Sequence, residues 1–262
     1  MSLFRKSLAS LGIGSARVDT VLPQGVLIPG EPLAVDVQVH GGKVEQQIDN
    51  IHLFLCCRYE DEVETSRGDS QHRKEKITQI CRLAEWSLPY SFVIGANEER
   101  HFEVSLSLPF NTPITIGDSH VWLETHLDMP LAFDAKDKDL LTVRPDPLLD
   151  GVFSALELAG LRIRQVECEA AKGFALPFVQ EFEFVPVSGP YHGRWRELEV
   201  VVYRDESGLQ MWFEIDRRQR GFSGMLAGLL GRGELERYCE IPASLHPQQA
   251  GERVLAFLDQ TT

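Results

Sequence analysis

Apolar and polar residues alternate along most of the chain. Val35, Val37 and Val39 are each followed by a polar residue, and the same period of two recurs over residues 102–108. A period of two is typical of a β-strand that buries one face. Gly, Pro, Asn and Asp separate these runs, and no long amphipathic helix lies between them. The pattern therefore favours antiparallel sandwiches or barrels over βαβ units.

Two hairpins are predicted from turn residues. Gly41-Gly42 follows the strand that ends at His40, and is predicted to close a hairpin with the strand over residues 48–59. The run 198–202 is predicted to pair with the run 209–215 across a turn at 205–208. The basic run at 72–76 is predicted to be the edge of a further hairpin, because edge strands commonly carry lysine.

A proline-rich segment divides the chain. Arg144-Pro145-Asp146-Pro147 has two prolines in three positions, and each proline removes a backbone donor and favours extended geometry before it. We expect a linker here, followed by a short helix over residues 148–159. Two β-sandwich domains, residues 1–144 and 145–262, are the predicted arrangement, since each half is large enough for its own core. A single long barrel is the alternative.

Two short apolar stripes are the candidate partner-binding elements. Each has apolar residues at helical spacing, so each is predicted to be a short helix. The first lies at the N-terminus, and the second lies in the glycine-rich segment 221–233, which lacks the ending of a phosphate-binding loop. A helix that packs only on its own domain is the alternative for both. The residues are Phe4, Leu8, Leu11, Met225, Leu226, Leu229 and Leu230.

The charge balance argues against nucleic acid as a partner. The chain has 26 Lys and Arg against 39 Asp and Glu, and its formal net charge is -13. Binding of phosphates depends on basic side chains that displace counterions. A membrane surface is disfavoured for the same reason, although Arg5 and Lys6 would let the N-terminal helix meet anionic lipid. No apolar run reaches the roughly 18–20 residues of a membrane span.

Residues able to carry chemistry are present, but their spacing indicates no site. The five cysteines include no C-x-x-C pair and are expected to be buried, reduced thiols. His120 and His126 are predicted to be outward-facing residues of one strand, too far apart for one metal ion. The aspartates of segment 134–139 lack the Gly and Glu of a calcium loop and are predicted to form a solvated turn. We predict no catalytic residue, no cofactor and no metal.

Six regions of the chain carry a family resemblance: Met1-Ser2-Leu3-Phe4-Arg5-Lys6 through Thr20, Gly41-Gly42-Lys43-Val44-Glu45-Gln46, Thr112-Pro113-Ile114-Thr115-Ile116-Gly117, Val143-Arg144-Pro145, Leu176-Pro177-Phe178-Val179-Gln180-Glu181-Phe182-Glu183-Phe184, and Glu214-Ile215-Asp216-Arg217-Arg218. Together they resemble the bacterial sporulation-control proteins of the stage-zero M type. The resemblance implies an all-β, arrestin-like fold with two sandwich domains in tandem. It also implies a cytoplasmic regulatory protein that acts through protein contacts, and it brings no catalytic residues.

We therefore expect a non-enzymatic cytoplasmic scaffold or adaptor. Edge strands, loops and the interdomain groove would bind protein partners of unknown identity by strand addition or groove docking. Two alternatives stay open, namely a peripheral membrane adaptor that uses the N-terminal helix, and a small-ligand binder or enzyme that uses the cleft between the domains. Exposed sandwich edges also leave a homodimer open.

Overall fold

The computed structural model describes residues 14–66, 72–130, 134–216 and 237–261, in which the protein is mostly β. The side chains of residues 64–66, 72–74 and 261 are not described. The strands are β1 (Arg17–Val21), β2 (Pro32–His40), β3 (Gln46–Ile48), β4 (Asn50–Ser66), β5 (His72–Leu88), β6 (Phe92–Ile94), β7 (Glu99–Ser107), β8 (Val121–Asp128), β9 (Ala135–Leu140), β10 (Leu161–Ala170), β11 (Phe178–Pro186), β12 (Glu197–Arg204), β13 (Gly208–Asp216) and β14 (Tyr238–Pro242). The helices are α1 (Pro147–Leu158) and α2 (Pro247–Thr261).

The strands of the described ranges form three sheets. One is the three-stranded sheet β1-β2-β7, one pairs β3 with β6, and the third is a nine-stranded sheet that contains all the other strands. The strand pairs are antiparallel apart from the contact between β4 and β10 and two isolated bridges outside the named strands. The mostly β architecture predicted from the alternation is confirmed.

A long hairpin of β4 and β5 extends across the nine-stranded sheet. Both strands have 17 residues, and they pair along their whole length. On its other edge β4 pairs with β8 from Asn50 to Cys57, and further along Glu60 pairs with Glu169 of β10. The sheet therefore continues from strands before the linker to strands after it. The basic run at 72–76 begins β5, which is an edge strand as predicted.

The first half of the chain builds its core between two sheets. The inward apolar residues of β2 are buried, and they pack in one cluster with the inward residues of β4 and β8, such as Leu53 and Leu123. The alternation predicted for Val35, Val37 and Val39 is confirmed, because all three are at most 2% exposed. Two hydrophobic faces thereby bury each other, as in a β-sandwich.

The hairpin predicted at Gly41-Gly42 is wrong. β2 pairs with β1 and β7, whereas β4 belongs to the nine-stranded sheet. A Cβ atom on Gly41 would lie 2.0 Å from the carbonyl oxygen of Gly95, and one on Gly42 would lie 2.0 Å from that of Gly14. Neither glycine has a positive φ. The pair is therefore required by close approach of two backbones, not by a tight turn.

The hairpin predicted at 205–208 is confirmed. Val202 lies opposite Met211, and Arg204 lies opposite Leu209. The Asp205 side chain accepts hydrogen bonds from the backbone N–H groups at the turn, which is the usual role of aspartate at such a position. The helix predicted over 148–159 is also confirmed, as α1.

The sheet of the second half is covered by helices on one face. Phe153 of α1 contacts the ring of Phe182, with ring centres 4.8 Å apart, and Phe257 of α2 contacts Phe213 at 5.5 Å. Within the described ranges α1 and α2 take the place of the second sheet expected for this half, and α2 was not predicted. The tandem sandwich division at residues 144 and 145 stays a prediction. Among the described residues no helix is long and apolar enough to cross a membrane.

Candidate functional site

A buried ion pair lies at the junction between the two halves of the chain. Asp146 in the linker is the N-cap of α1, and its Oδ1 accepts a hydrogen bond of 2.9 Å from the backbone N–H of Leu149. Its Oδ2 accepts a hydrogen bond from Nε of Arg204, at the end of β12. The Asp146 and Arg204 side chains are only 5% and 12% exposed. Loss of either partner would leave a buried charge uncompensated.

Arg204 also contacts two neighbouring segments, the hairpin after β12 and the loop between β7 and β8. Its Nη1 donates a hydrogen bond of 3.0 Å to the carbonyl oxygen of Gly208, in the hairpin after β12. Its guanidinium carbon lies 4.7 Å from the ring centre of Phe110, in the loop between β7 and β8. That ring packs on Gly30, where a Cβ atom would lie 2.2 Å from it. One side chain thus links the linker, the hairpin and the first half of the chain.

Gln180 of β11 makes a second polar contact across the junction. Its Oε1 accepts a hydrogen bond of 3.0 Å from the backbone N–H of Ile114, and its Nε2 donates to the carbonyl oxygen of Ile114 at 2.8 Å. The same Nε2 donates to the hydroxyl of Ser119 at 2.9 Å. The amide therefore pairs with both backbone groups of a buried loop residue, as a neighbouring strand would.

The cavity at this junction is too small for a metabolite. Its volume is about 40 Å³, whereas pockets that bind small molecules usually have about 300–1,000 Å³. Its described lining contains no histidine and a single carboxylate, that of Asp146, which is bonded to Arg204. The junction thus gives no support to the alternative of a small-ligand binder or enzyme at the interdomain cleft.

The outer face of the second half of the sheet, opposite α1 and α2, is rich in carboxylates. Glu181 lies directly opposite Glu167, and Glu199 lies between Glu183 and Glu214 on the neighbouring strands. We call these five residues the acidic face. Like charges in such positions destabilise a sheet. Burial, followed by the charge of Glu199 and other carboxylates, raises the pKa of Glu181 to about 8.

Basic side chains neutralise part of the acidic face. Arg164 forms ion pairs with Glu183 and, at 2.8 Å, with Glu197. Lys76 of the β4–β5 hairpin lies 3.9 Å from Glu167, and 3.2 Å from Glu169, a neighbour on β10. Burial nevertheless raises the pKa of Glu169. The hairpin thus supplies a cation to the second half of the sheet, although an excess of carboxylates remains among the described residues.

The outer face near the start of β4 has a different chemistry. The guanidinium carbon of Arg82 lies 3.9 Å from the ring centre of Phe54, and the ammonium of Lys138 lies 3.9 Å from that of Trp122. The Trp122 indole donates a hydrogen bond of 2.7 Å to Glu124. We call Phe54, Trp122, Arg82 and Lys138 the aromatic face. Both rings are buried although they point away from the main core, because the two cations cover them.

The histidines and aspartates that were considered as metal ligands have other partners. His126 lies on β8, 3.3 Å from the Glu124 carboxylate, and burial lowers the pKa of its imidazole. His120 precedes β8, so the two do not share one strand, and its ring is bonded to the carbonyl oxygen of Asp118. No group of three or more potential metal ligands occurs within the described residues.

The solvated turn predicted for residues 134–139 is wrong. Most of this segment is β9, which pairs with β8. Asp137 accepts a hydrogen bond of 2.8 Å from the backbone N–H of Thr20, so it helps to hold β1. Burial and the neighbouring Asp137 raise the pKa of Asp139 to about 6. These aspartates therefore have a structural role at the seam between two sheets.

Comparison with known proteins gives the family. A family model described as SpoOM protein matches residues 4–219. The chain belongs to the Spo0M family. It is 41% identical over 264 residues to the sporulation-control protein spo0M of Bacillus subtilis (strain 168), with 99% of each chain covered. The crystal structure of Spo0M from Bacillus subtilis is similar with a TM-score of 0.76 and 35% identity, over 95% of this chain and 100% of that one.

The resemblance inferred from the sequence is thus confirmed at the level of the Spo0M family. The predicted partner-binding residues lie outside the described residues, so their contacts stay a prediction. The Spo0M match includes the N-terminal stripe and ends before the second one. The residues concerned are Phe4, Leu8, Leu11, Met225, Leu226, Leu229 and Leu230.

Sequence reasoning missed the residues that join the halves of this Spo0M-family chain. Asp146 stands directly before Pro147, a usual signature of an N-cap followed by the first helical residue, so its capping role was accessible. Gln180 is a polar residue at an inward position of an apolar strand, which indicates a buried partner. The contact between Asp146 and Arg204 had no signal, because 57 residues separate the two positions in the sequence.

Proposed function

We propose that this protein is a non-enzymatic cytoplasmic regulator that acts as a scaffold or adaptor, in a process similar to sporulation control. The relative from Bacillus subtilis is named a sporulation-control protein, and the resemblance covers both chains almost completely. A tandem arrestin-like arrangement of the two halves is part of this proposal. Its partners would be proteins rather than nucleic acids, in keeping with the net charge of -13.

The observation that carries the proposal is that two outer surfaces, the aromatic face and the acidic face, lie on one sheet. Phe54 and Glu60 are an even number of residues apart on β4, so their side chains point to the same side. Because Glu60 lies opposite Glu169 of β10, the aromatic face and the acidic face belong to the same side of the nine-stranded sheet. An aromatic surface with cations and a carboxylate surface can bind different segments of one partner, or two partners.

The polar groups at the junction support a binding role in another way. Asp146, Arg204 and Gln180 are bonded to groups of the protein itself instead of facing a substrate. Gln180 and Arg204 also contact Ile114 and Phe110, so they hold the two halves together. The outer surfaces are then presented in a defined relation to each other. This is what a scaffold requires, because it must hold its partners in fixed positions.

The test is affinity capture from native cytoplasm with light crosslinking, followed by binding assays with each purified partner. Four chains are compared: the full chain, the chain without residues 1–12, an acidic-face variant (Glu181→Gln with Glu199→Gln) and an aromatic-face variant (Arg82→Ala with Lys138→Ala). We expect direct partners whose binding is lost in one of the three altered chains. Partners indifferent to all three changes, or an absence of direct partners, would contradict the proposal.

The same deletion separates the adaptor from the membrane alternative. Flotation with vesicles that contain anionic lipid is measured for the full chain and for the chain without residues 1–12. We expect neither chain to float. Flotation of the full chain alone would favour the peripheral membrane adaptor.

A further inference from the structure

Cys57 and Cys81 face each other across the β4–β5 hairpin. They are directly opposite in the strand register, and each thiol contributes to the shift in the pKa of the other. Facing residues of antiparallel strands have Cα atoms about 4.5–5.5 Å apart, which lies within the roughly 4.4–6.8 Å that a disulfide spans. The strand pairing thus already has the separation that a covalent bond between these two sulfurs needs.

The other three cysteines are placed differently. Cys56 is next to Cys57 in sequence but points to the opposite side of the sheet, where it packs with Phe54 and Trp122. Cys168 of β10 is near the pair, but its thiol lies 3.6 Å from the Ser119 hydroxyl. Cys239 lies on β14, at the far edge of the sheet. Of the five cysteines, only Cys57 and Cys81 are paired across neighbouring strands.

We propose that Cys57 and Cys81 are an oxidative modification site, at which a hydroperoxide converts the two thiols to a disulfide. The Cys81 thiolate attacks the peroxide, the O–O bond breaks, and a sulfenic acid and one water form once the released hydroxide takes up the thiol proton. The Cys57 sulfur then attacks the sulfenic sulfur, the S–S bond forms, and a second water leaves. The two thiols lose two protons and two electrons in total, and hydrogen peroxide is reduced to two waters.

The surroundings of the pair determine the order and the pace of this reaction. Cys81 is 9% exposed and lies on an edge strand, whereas Cys57 is completely buried, so the peroxide meets Cys81 first. Burial raises the pKa of both thiols, and the thiolate is the reactive form. Oxidation is therefore slow near neutral pH and faster as the pH rises. The site responds to sustained peroxide, not to a brief pulse.

The disulfide would act on the hairpin that connects the two halves. Cys57 is the last residue of β4 that pairs with β8, and Glu60, three residues later, pairs with β10. A bond from Cys57 to Cys81 closes the intervening hairpin into a loop and restricts the unfolded chain. We therefore expect oxidation to stabilise this connection. The inference does not depend on the adaptor role.

The first test uses the full chain without substitutions. The folded protein is treated with hydrogen peroxide, digested without reductant and examined for cross-linked peptides by mass spectrometry. We expect one cross-link, between the peptide with Cys57 and the peptide with Cys81, that dithiothreitol removes. Its rate of formation is expected to increase with pH, and the oxidised protein is expected to unfold at a higher temperature than the reduced protein.

Cys56 and Cys57 are adjacent in the sequence, so Cys56→Ala is a matched control for Cys57→Ala. Cys56→Ala is expected to keep the cross-link, and Cys57→Ala is expected to abolish it together with the shift in unfolding temperature. Circular dichroism checks that each variant is folded. If Cys57→Ala does not fold, the cross-linked peptides of Cys56→Ala still identify the sulfur that is bonded to Cys81. The proposal is overturned if the folded chain forms no cross-link, if Cys168 replaces either partner, or if folded Cys57→Ala retains the bond to Cys81.

Discussion

Glu181 is a carboxyl group whose ionisation opposes folding. Its pKa is raised to about 8 in the folded protein by burial and by nearby carboxylates, so the fold favours its neutral form. The stabilising effect of this group is complete below its unfolded pKa, near 4.5, and is lost as the pH rises to about 8. We predict that near pH 8 the free energy of unfolding of Glu181→Gln, measured by urea denaturation, exceeds that of the wild type by roughly 1–3 kcal/mol.

A matched variant isolates the effect of position. Glu240→Gln also removes a carboxylate from the outer side of the same sheet, but at an exposed position of the edge strand β14. We expect it to change the free energy of unfolding by less than about 0.5 kcal/mol, both near pH 8 and near pH 4.5. Equal effects of the two substitutions, or no dependence of the Glu181→Gln effect on pH, would show that net charge rather than burial is responsible.

We predict that removal of one partner of the Asp146–Arg204 pair destabilises the protein more than the removal of both charges together. Arg204→Met leaves the Asp146 carboxylate buried without its cation, and is expected to destabilise the protein by about 3–5 kcal/mol. Asp146→Asn retains an oxygen that can cap α1. The double variant Asp146→Asn with Arg204→Met is therefore expected to be more stable than Arg204→Met alone, in urea denaturation. A double variant as unstable as the sum of the two single ones would refute this account.

At the level of elements, the sequence predicted local structure well where the turn chemistry was specific. The hairpin at 205–208 was found because aspartate and glycine stand between two alternating runs. Helix α2 was missed, although Ala250, Val254 and Leu258 are buried at a spacing of four. Strand β9 was also missed, because both of its faces are largely polar and the aspartate that holds β1 looked like a turn residue.

The glycines at 41 and 42 give an element-scale prediction. Because a Cβ on Gly42 would lie 2.0 Å from the backbone oxygen of Gly14, Gly42→Ala is expected to destabilise the first half by more than about 2 kcal/mol in chemical denaturation. Gly25→Ala is the control, since no atom lies within 4 Å of the added Cβ, and its expected effect is within about 0.5 kcal/mol. A neutral Gly42→Ala would mean that the two backbones do not approach closely.

At the scale of the whole molecule, the length of the β4–β5 hairpin was not accessible from the sequence. The alternation of β4 was visible, but its pairing with both β8 and β10 depends on contacts between residues far apart in the chain. Periodicity indicates which face of a strand is buried, not which strand lies beside it. The same limit explains why the proline-rich segment indicated a boundary between two halves but not the sheet that runs across it.

The shared sheet predicts that the two halves unfold together. A single cluster of buried residues includes Leu53 of the first half and Phe182 of the second, and Gln180 supplies a further link through Ile114. We expect one calorimetric transition in the wild type, with equal calorimetric and van't Hoff enthalpies. Two separate transitions would show that the halves fold independently, as tandem domains joined by a linker would.

Substitution of Gln180 tests the link at the junction. Gln180→Leu preserves the size of a buried side chain but leaves the N–H of Ile114 without a partner, which costs about 1–3 kcal/mol. It also removes one of the two hydrogen bonds to the C=O of Ile114, which keeps the bond from the N–H of Ile116. We expect the transition to shift to lower temperature by several degrees and to broaden or split, because the first half loses its anchor on β11. Gln210→Leu, on the outer side of β13, is the control and is expected to leave a single transition. An unchanged transition in Gln180→Leu would assign the coupling to the β4–β5 hairpin alone.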